Sequence, residues 1–179
     1  MKRFSQLVLK CMGWKTILSV DIPQKSVVCV APHTSNWDFL YAKLYYSAIG
    51  GKPHFLMKKE LFFFPMGYLI KAMGGIPVDR KNKKSLTAQM IEMFNSKKNF
   101  HLAVAPEGTR KKTSNWRTGF YYIAIGAKVP ISLAHIDFRK KELGVSENFY
   151  PTGNEISDMD YIKKKYKDFI GKIPGNFSI

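Results

Sequence analysis

The sequence predicts an α/β protein: a single domain with a largely parallel central sheet flanked by helices, and an N-terminal amphipathic helix. Two observations support this fold class. From residue 26 onward, short β-branched runs alternate with longer segments of helical periodicity. The 179 residues, 45% of them hydrophobic, are also enough to build one substantial core. We therefore expect one domain over residues 1–179, with a motif-bearing core at 26–138 and a C-terminal extension at 139–179.

Residues 1–20 are predicted to form the amphipathic helix, because apolar and cationic side chains fall on opposite sides at helical spacing. This pattern is typical of a helix in a membrane interface, and equally of a helix packed on its own domain. Lys10 interrupts the apolar stretch and no small-residue cleavage site follows, which argues against a signal peptide. The longest other apolar run, at 61–70, is about half of the roughly 20 residues that a membrane-spanning helix needs, so no spanning segment is expected.

The remaining elements follow in order from the same periodicities. The run SVVCVA at 26–31 predicts a strand buried on both faces. Next comes a helix at 36–49, with Ser35 or Asn36 as N-cap and Gly50-Gly51 as its end. Further strands are predicted at 54–58, 75–79, 100–105 and 130–138, and further helices at 84–97, 117–127 and 157–170.

Segment 61–70, LFFFPMGYLI, contains three consecutive phenylalanines and is flanked by lysines. It predicts either a membrane-facing lip or acyl channel, or ordinary core aromatics. Three consecutive side chains cannot all face inward on one helix, which keeps the first interpretation open.

The chain is strongly basic, with 29 Lys and Arg against 13 Asp and Glu and a formal charge of +16. Such a charge attracts polyanions, and it also occurs in soluble proteins that are simply basic. No nucleic-acid-binding signature accompanies it, so we expect an anionic membrane surface as partner and no nucleic acid. Cys11 and Cys29 are expected to be small buried apolar groups in a reducing cytosol.

Three polar clusters follow predicted strands: PHTSNWD after 26–31, DRKNKK after 75–79 and PEGTRKK after 100–105. Ligands of parallel sheets bind beyond the carboxyl ends of the strands. The three clusters are therefore predicted to line one cleft.

His33 and Asp38 are the first candidates for chemistry. Residues five apart diverge by about 140° on a helix, so they meet only if His33 precedes the helix and Asp38 lies in its first turn. An aspartate bonded to one imidazole nitrogen leaves the other free to accept a proton, as a general base requires. A helix-capping histidine remains the alternative. A metal site with His135 has no supporting spacing, so no metal is expected, and His54, His101 and His135 are expected to be structural.

The third cluster has the composition of a phosphate-binding loop. Arg110 offers a planar fork, Gly108 permits close backbone approach and Thr109 offers a hydroxyl, while Glu107 holds Arg110 or contacts a substrate hydroxyl. Arg80 adds a cation in the second cluster. A solvated polar loop with a local salt bridge is the alternative interpretation.

Together these segments resemble the glycerolipid acyltransferase superfamily, especially lysophosphatidate (1-acylglycerol-3-phosphate) acyltransferases. HTSNWD at 33–38 matches the H-x4-D block, and PEGTR at 106–110 matches the third block. GIPVDR at 75–80 resembles the second block and VPI at 129–131 the start of the fourth. Four blocks in order make chance similarity improbable.

The resemblance implies that His33 is the general base, Asp38 its orienting partner, and Arg80 with Glu107–Arg110 the binding site for the acceptor. Residues 129–130 would shape the site wall. A fatty acyl group would move directly from acyl-CoA or acyl carrier protein, the co-substrate, to a lysolipid hydroxyl, without a cofactor and at the cytoplasmic face of the membrane.

Two departures from the family leave the acceptor open. Pro32 stands where many members have Asn, and Leu133 where a second proline is common. Lysophosphatidate and a lysolipid with an amino-acid headgroup both remain possible acceptors. A non-enzymatic binder of anionic lipid or nucleic acid is the alternative function.

Overall fold

A computed structural model describes residues 2–78 and 85–179. The helices in these ranges are α1 (Lys2–Cys11), α2 (Trp37–Ile49), α3 (Met66–Ala72), α4 (Leu86–Ser96), α5 (Gly119–Ala127) and α6 (Glu155–Lys165). The strands are β1 (Lys15–Leu18), β2 (Lys25–Ala31), β3 (His54–Lys58), β4 (Gly75–Val78), β5 (Phe100–Val104), β6 (Ile131–Asp137) and β7 (Glu142–Phe149).

These strands form one sheet in the order β1-β7-β6-β2-β5-β3-β4. Every neighbouring pair is parallel except β6 and β7. The predicted α/β class with a largely parallel sheet is therefore confirmed. Strand β2 lies in the middle of the sheet, which makes the loop that follows it central as well.

Helices cover both faces of the sheet, and successive residues of β2 supply both cores. Val27 and Cys29 pack with α4, α5 and α6, whereas Val28 packs on the other face with α1 and α2. All three side chains are fully buried. This alternation explains why the strand is a continuous apolar run instead of an alternating one.

The N-terminal region differs from the prediction of one helix over residues 1–20. The helix ends at Cys11, and Lys15–Leu18 forms an edge strand that pairs in parallel with β7. Leu9 is buried against the domain while Phe4 and Leu7 are exposed, so α1 both packs on the protein and presents apolar side chains to solvent. Cys11 is exposed, contrary to the expectation that it would be buried.

The C-terminal extension also contributes to the sheet, through β7, and to the helical layer, through α6. A tight turn links β6 to β7. The Oδ1 atom of Asp137 accepts the backbone N–H groups of Arg139 and Lys140 at 2.9 and 3.1 Å, and Lys141 adopts a left-handed φ of 49°. The turn is built by a lysine and an aspartate, and no glycine or asparagine marks it in the sequence.

Segment 61–70 lies largely at the surface. Phe63 is 58% exposed and Phe64 82% exposed, while Gly67 and Ile70 are buried. The interpretation as core aromatics is therefore wrong for most of this segment. Among the described residues, no helix combines the length and apolar character that crossing a bilayer requires.

Candidate active site

The first and third polar clusters meet because their strands are neighbours. Strands β2 and β5 are parallel, with Cys29 opposite Val104, so the loops after them leave the same edge of the sheet. The backbone N–H of His33 donates to Oε1 of Glu107 at 2.7 Å, across 74 residues of sequence. Strand β4, which precedes the second cluster in the sequence, lies at the far edge of the sheet, and the cluster itself, residues 79–84 with Arg80, lies outside the described residues. Its place in the cleft stays a prediction.

His33 and Asp38 form a hydrogen-bonded pair in the predicted arrangement, with the histidine before α2 and the aspartate in its first turn. Oδ2 of Asp38 lies 3.1 Å from Nδ1 of His33. An ionised carboxylate can only accept, so Nδ1 carries the proton and Nε2 presents its lone pair. Asp38 is 2% exposed, whereas the His33 side chain is 26% exposed. The imidazole is thus held from a buried side and remains accessible to a ligand.

The same carboxylate shapes the loop between strand and helix. Oδ2 of Asp38 also accepts the backbone N–H groups of Thr34 and Ser35 at 2.7 and 2.8 Å. Asn36 is the N-cap of α2 but makes no side-chain capping bond. The negative charge of Asp38 lies at the positive end of the helix, where it is stabilised. Loop conformation and imidazole orientation therefore depend on one side chain.

Glu107 is buried against this loop and fixes its backbone. Its Oε1 accepts the His33 amide, while Oε2 has no partner among the described residues. Burial raises the pKa of Glu107 to about 7, against the opposing effects of the His33 hydrogen bond and charge, and the nearby charge of Asp38 raises it further. In the described part of the chain Glu107 forms no ion pair with Arg110, so the suggested bridge between them is absent. A contact with substrate stays a prediction.

Gly108 makes room for an arginine that the sequence analysis missed. Its φ is +62°, and a Cβ at this position would lie 2.7 Å from Nε of Arg117. The backbone N–H of Arg117 donates to Pro106 O at 2.7 Å. Arg117 lies seven residues beyond the PEGTR motif at 106–110, and the chain folds back after Ser114 to place it against Pro106 and Gly108. No local sequence signal could therefore have identified it. It adds a guanidinium group beside Gly108.

The predicted phosphate-binding side chains of this loop lie at the surface. Arg110 is exposed, and Thr109 accepts the backbone N–H of Lys111 at 3.2 Å through Oγ1. The hydroxyl thus closes a local turn, and the three basic residues 110–112 are exposed. Their exposure leaves them available to an anionic ligand.

The fourth motif does not reach this cleft. Residues 129–130 precede β6, and the carbonyl of Pro130 accepts the N–H of Val27 at the start of β2. In a parallel sheet, residues that precede a strand lie at the amino edge, opposite the loops that follow the strands. The implied role of Val129 and Pro130 in the site wall is therefore wrong for this chain.

The other histidines have partners away from the pair. His135 lies 3.1 Å from Glu142 and stacks on Phe169, and His101 lies 3.0 Å from the Ser26 hydroxyl. Burial lowers the pKa of His101 and His135, so both are neutral at pH 7. In residues 2–78 and 85–179, no three His, Cys, Asp or Glu side chains gather as a metal-binding group.

Comparisons with known proteins bear on this geometry. Residues 16–133 match the model of a family described as Acyltransferase. A probable 1-acyl-sn-glycerol-3-phosphate acyltransferase of Mycoplasma pneumoniae is 28% identical over 154 residues, 78% of this chain and 58% of that protein. The 1-acyl-sn-glycerol-3-phosphate acyltransferase of Cocos nucifera is 32% identical over 101 residues, 50% of this chain and 33% of that protein. The chain thus spans less than two thirds of the length of either relative.

A solved structure shares the fold. The 1-acyl-sn-glycerophosphate (LPA) acyltransferase PlsC from Thermotoga maritima aligns with a TM-score of 0.65 and 20% sequence identity. The alignment covers 93% of this chain and 75% of that protein. The arrangement of a mostly parallel sheet with helices on both faces is therefore common to the two proteins.

Proposed function

This chain belongs to the acyltransferase family, and on that premise we propose that it moves a fatty acyl group from an acyl thioester to the hydroxyl of a lysophospholipid such as 1-acylglycerol-3-phosphate. The observation that carries the proposal is the His33–Asp38 pair, with Nδ1 bonded to a buried carboxylate and the imidazole partly exposed. The two relatives are named as 1-acyl-sn-glycerol-3-phosphate acyltransferases, one of them as probable, which supports the choice of acceptor.

The proposed chemistry is a direct transfer with His33 as general base. Nε2 of His33 takes the proton of the acceptor hydroxyl while the hydroxyl oxygen attacks the thioester carbonyl. The C–S bond then breaks, and the imidazolium returns the proton to the departing thiolate. Asp38 stabilises the imidazolium through Nδ1, and such assistance contributes on the order of 10²–10⁴ in rate.

Cations around the pair support a phosphate-bearing acceptor. Arg110, Lys111 and Lys112 are exposed in the third cluster, and Arg117 lies against Gly108. Guanidinium groups bind phosphate through paired N–H donors. Arg80 is proposed to join them on the strength of the motif alone. Acyl-CoA or acyl carrier protein enters as co-substrate, and this chemistry requires no resident cofactor.

We place the reaction at the surface of an anionic membrane, because both substrate and product are amphiphiles. The net charge of +16 favours anionic headgroups. Phe4 and Leu7 of α1 and Phe63 and Phe64 of the 61–70 segment project into solvent. Apolar side chains exposed in this way are typical of a surface that enters the headgroup region.

Hydrogen bonds join these two apolar regions to the helix that carries Asp38. Gln6 of α1 donates to Ala48 O of α2 at 3.0 Å, and Lys43 of α2 donates to Met73 O, just after α3, at 2.6 Å. A membrane bound by α1 and the 61–70 segment would therefore lie near α2, the helix whose first turn carries Asp38. Both cysteines are free, which agrees with the reducing cytoplasmic face.

The direct test is turnover with purified protein, anionic vesicles containing lysophosphatidate, and either acyl-CoA or acyl carrier protein thioester. Wild type should release free thiol and form diacylated product detected by mass spectrometry, and His33→Ala should lose at least about 10²-fold in rate. His54→Gln, which changes a histidine against Phe100, is the matched control and should keep the wild-type rate. Equal thiol release by wild type and His33→Ala would refute the mechanism. Vesicle binding without any thiol release would favour a non-enzymatic lipid binder.

A further inference from the structure

The C-terminal strap, defined as residues 169–178, crosses the edge of the sheet that carries the His33–Asp38 pair. It follows α6 and runs past the end of β6, the His33 loop and the loop before α5. Three hydrogen bonds anchor it: Phe138 N–H to Ile170 O at 2.9 Å, Ile173 N–H to Thr34 Oγ1 at 3.2 Å, and Trp116 Nε1–H to Ser178 O at 3.3 Å. The strap lies beyond residues 16–133, the part of the chain that matches the family model.

The strap packs directly on the loop that carries His33. A Cβ at Gly171 would lie 2.6 Å from Oγ1 of Thr34 and 3.2 Å from Cβ of Pro32, so only glycine fits without displacement. Thr34 is itself buried, and Asp38 accepts its backbone N–H. The position of the strap is thereby tied to the residue that follows His33.

This packing brings the next residue, Lys172, to Trp37, the first residue of α2. Its Nζ lies 4.4 Å from the centre of the Trp37 ring, and Trp37 immediately precedes Asp38 and is 48% exposed. Lys172 is exposed and, within residues 2–78 and 85–179, pairs with no carboxylate. The aromatic ring holds the ammonium group in place without neutralising its charge or using up its three N–H donors. A positive charge is thus positioned next to the His33 loop with its hydrogen-bonding capacity free.

We propose that Lys172 binds a phosphate group of a substrate during acyl transfer, an inference that rests on the proposed function. An ammonium group on a flexible stem is a strong point charge for phosphate oxygens. Two sources carry that chemistry: the phosphate of the acceptor and the phosphates of the thioester carrier. Lys172 would thus supply, from the C-terminal strap, a cation in addition to the motif residues Arg80 and Arg110.

Steady-state kinetics with four proteins test this role. Lys172→Met keeps an apolar stem against Trp37 and removes the charge, Lys172→Arg keeps the charge, and Lys167→Met removes another exposed lysine near the strap. With acyl-CoA and lysophosphatidate in neutral detergent micelles, Lys172→Met should raise the KM of the phosphate-bearing substrate about 5- to 20-fold and leave kcat nearly unchanged. Lys172→Arg and Lys167→Met should match wild type. The effect should shrink at high salt, because exposed charges are screened.

The pattern of KM values distinguishes the two sources. If Lys172→Met raises the KM of lysophosphatidate but not that of phosphate-free monoacylglycerol, Lys172 binds the acceptor phosphate. If the variant raises only the KM of acyl-CoA, Lys172 binds the phosphates of the carrier. Unchanged KM for both substrates would overturn the proposal. Calorimetry that measures the affinities of wild type and Lys172→Met for lysophosphatidate and for CoA repeats the comparison without turnover. Absent turnover in every protein counts against acyl transfer, whereas equal affinities of wild type and Lys172→Met count against Lys172.

Discussion

The Asp38 carboxylate accepts hydrogen bonds from the His33 loop and also carries a negative charge. Replacing it by asparagine removes the charge and keeps an acceptor. Oδ2 accepts Nδ1–H of His33 and the backbone N–H groups of Thr34 and Ser35. An asparagine with its amide oxygen at the Oδ2 position can accept the same three donors, so the loop should keep its shape. It carries no charge, however, and cannot stabilise the imidazolium formed during proton transfer. We expect kcat to fall on the order of 10²–10⁴-fold.

Alanine at the same position removes the acceptor as well as the charge. Leaving the Thr34 amide unpaired costs about 2 kcal/mol because it is buried, and the half-buried Ser35 amide adds about 1 kcal/mol. A total of about 3 kcal/mol lowers Tm by about 6–12 °C in a chain of this size. Asp38→Asn keeps the acceptor but loses the charge-assisted part of these bonds, about 1 kcal/mol, and its amide NH2 group takes the buried place of Oδ1, which has no partner among the described residues, at a further cost of about 1 kcal/mol. The total of about 2 kcal/mol should lower Tm by about 4–8 °C.

Thermal unfolding by circular dichroism and thiol release from acyl-CoA measure the two effects on the same samples. Asp160→Asn is the matched control, because Asp160 is exposed and its ion pair with Lys164 lies at the surface. Wild-type turnover by Asp38→Asn would show that the charge has no part in catalysis. Equal Tm values for Asp38→Asn and Asp38→Ala would show that the two backbone bonds do not stabilise the loop.

Three further predictions concern the surroundings of the pair and the apolar surface. The pKa of Glu107 is raised from 4.5 to about 7 in the folded protein, so the folded state binds a proton more tightly than the unfolded state does. The stability that this protonation contributes is fully present below pH 4.5 and is lost as the pH rises through 7. Glutamine cannot ionise, so the free energy of unfolding of Glu107→Gln should rise relative to wild type between pH 5 and 8, by up to about 3 kcal/mol in urea unfolding. A difference that stays constant across this range would contradict the raised pKa of Glu107. Gly108→Ala should destabilise the protein by about 1–2 kcal/mol in the same assay, because φ is +62° and the new methyl group meets a guanidinium; unchanged stability would mean that the loop relaxes freely. Exchanging Phe63 and Phe64 for serine should weaken sedimentation with anionic vesicles at least about tenfold, whereas Tyr150→Ser, an exposed aromatic outside this segment, should bind as wild type does; equal losses would refute a specific docking surface.

The central part of the fold could be predicted because its signals are local. The apolar run of β2 needs burial on both faces, and α2 ends where Gly50 adopts a left-handed φ of 91°. The His33–Asp38 pair follows from the same boundary, since a histidine before the helix and an aspartate in its first turn can meet. Residue spacing and one helix start were sufficient to place both side chains.

The two strands at one side of the sheet, β1 and β7, could not be predicted, because their signals are not local. Lys15–Leu18 is short and mostly exposed, and it becomes a strand only by pairing with Glu142–Phe149 far along the chain. The turn before that partner depends on Lys141 in a left-handed conformation, which the residue type does not suggest. Residues 15–18 were therefore predicted as part of the N-terminal helix, and no element was predicted for residues 142–149.

Contacts between distant residues also explain why the motifs alone do not define the site. Glu107 reaches the His33 amide because β5 lies beside β2, and neither motif encodes that adjacency. Residues 129–130 carry a recognisable motif yet lie at the opposite edge, because they precede their strand. Conversely, Lys172 belongs to no motif and is brought to Trp37 by a strap anchored at three points. The local motifs thus contain the proposed reacting groups, whereas sheet order and the C-terminal strap decide which other side chains lie near their loops.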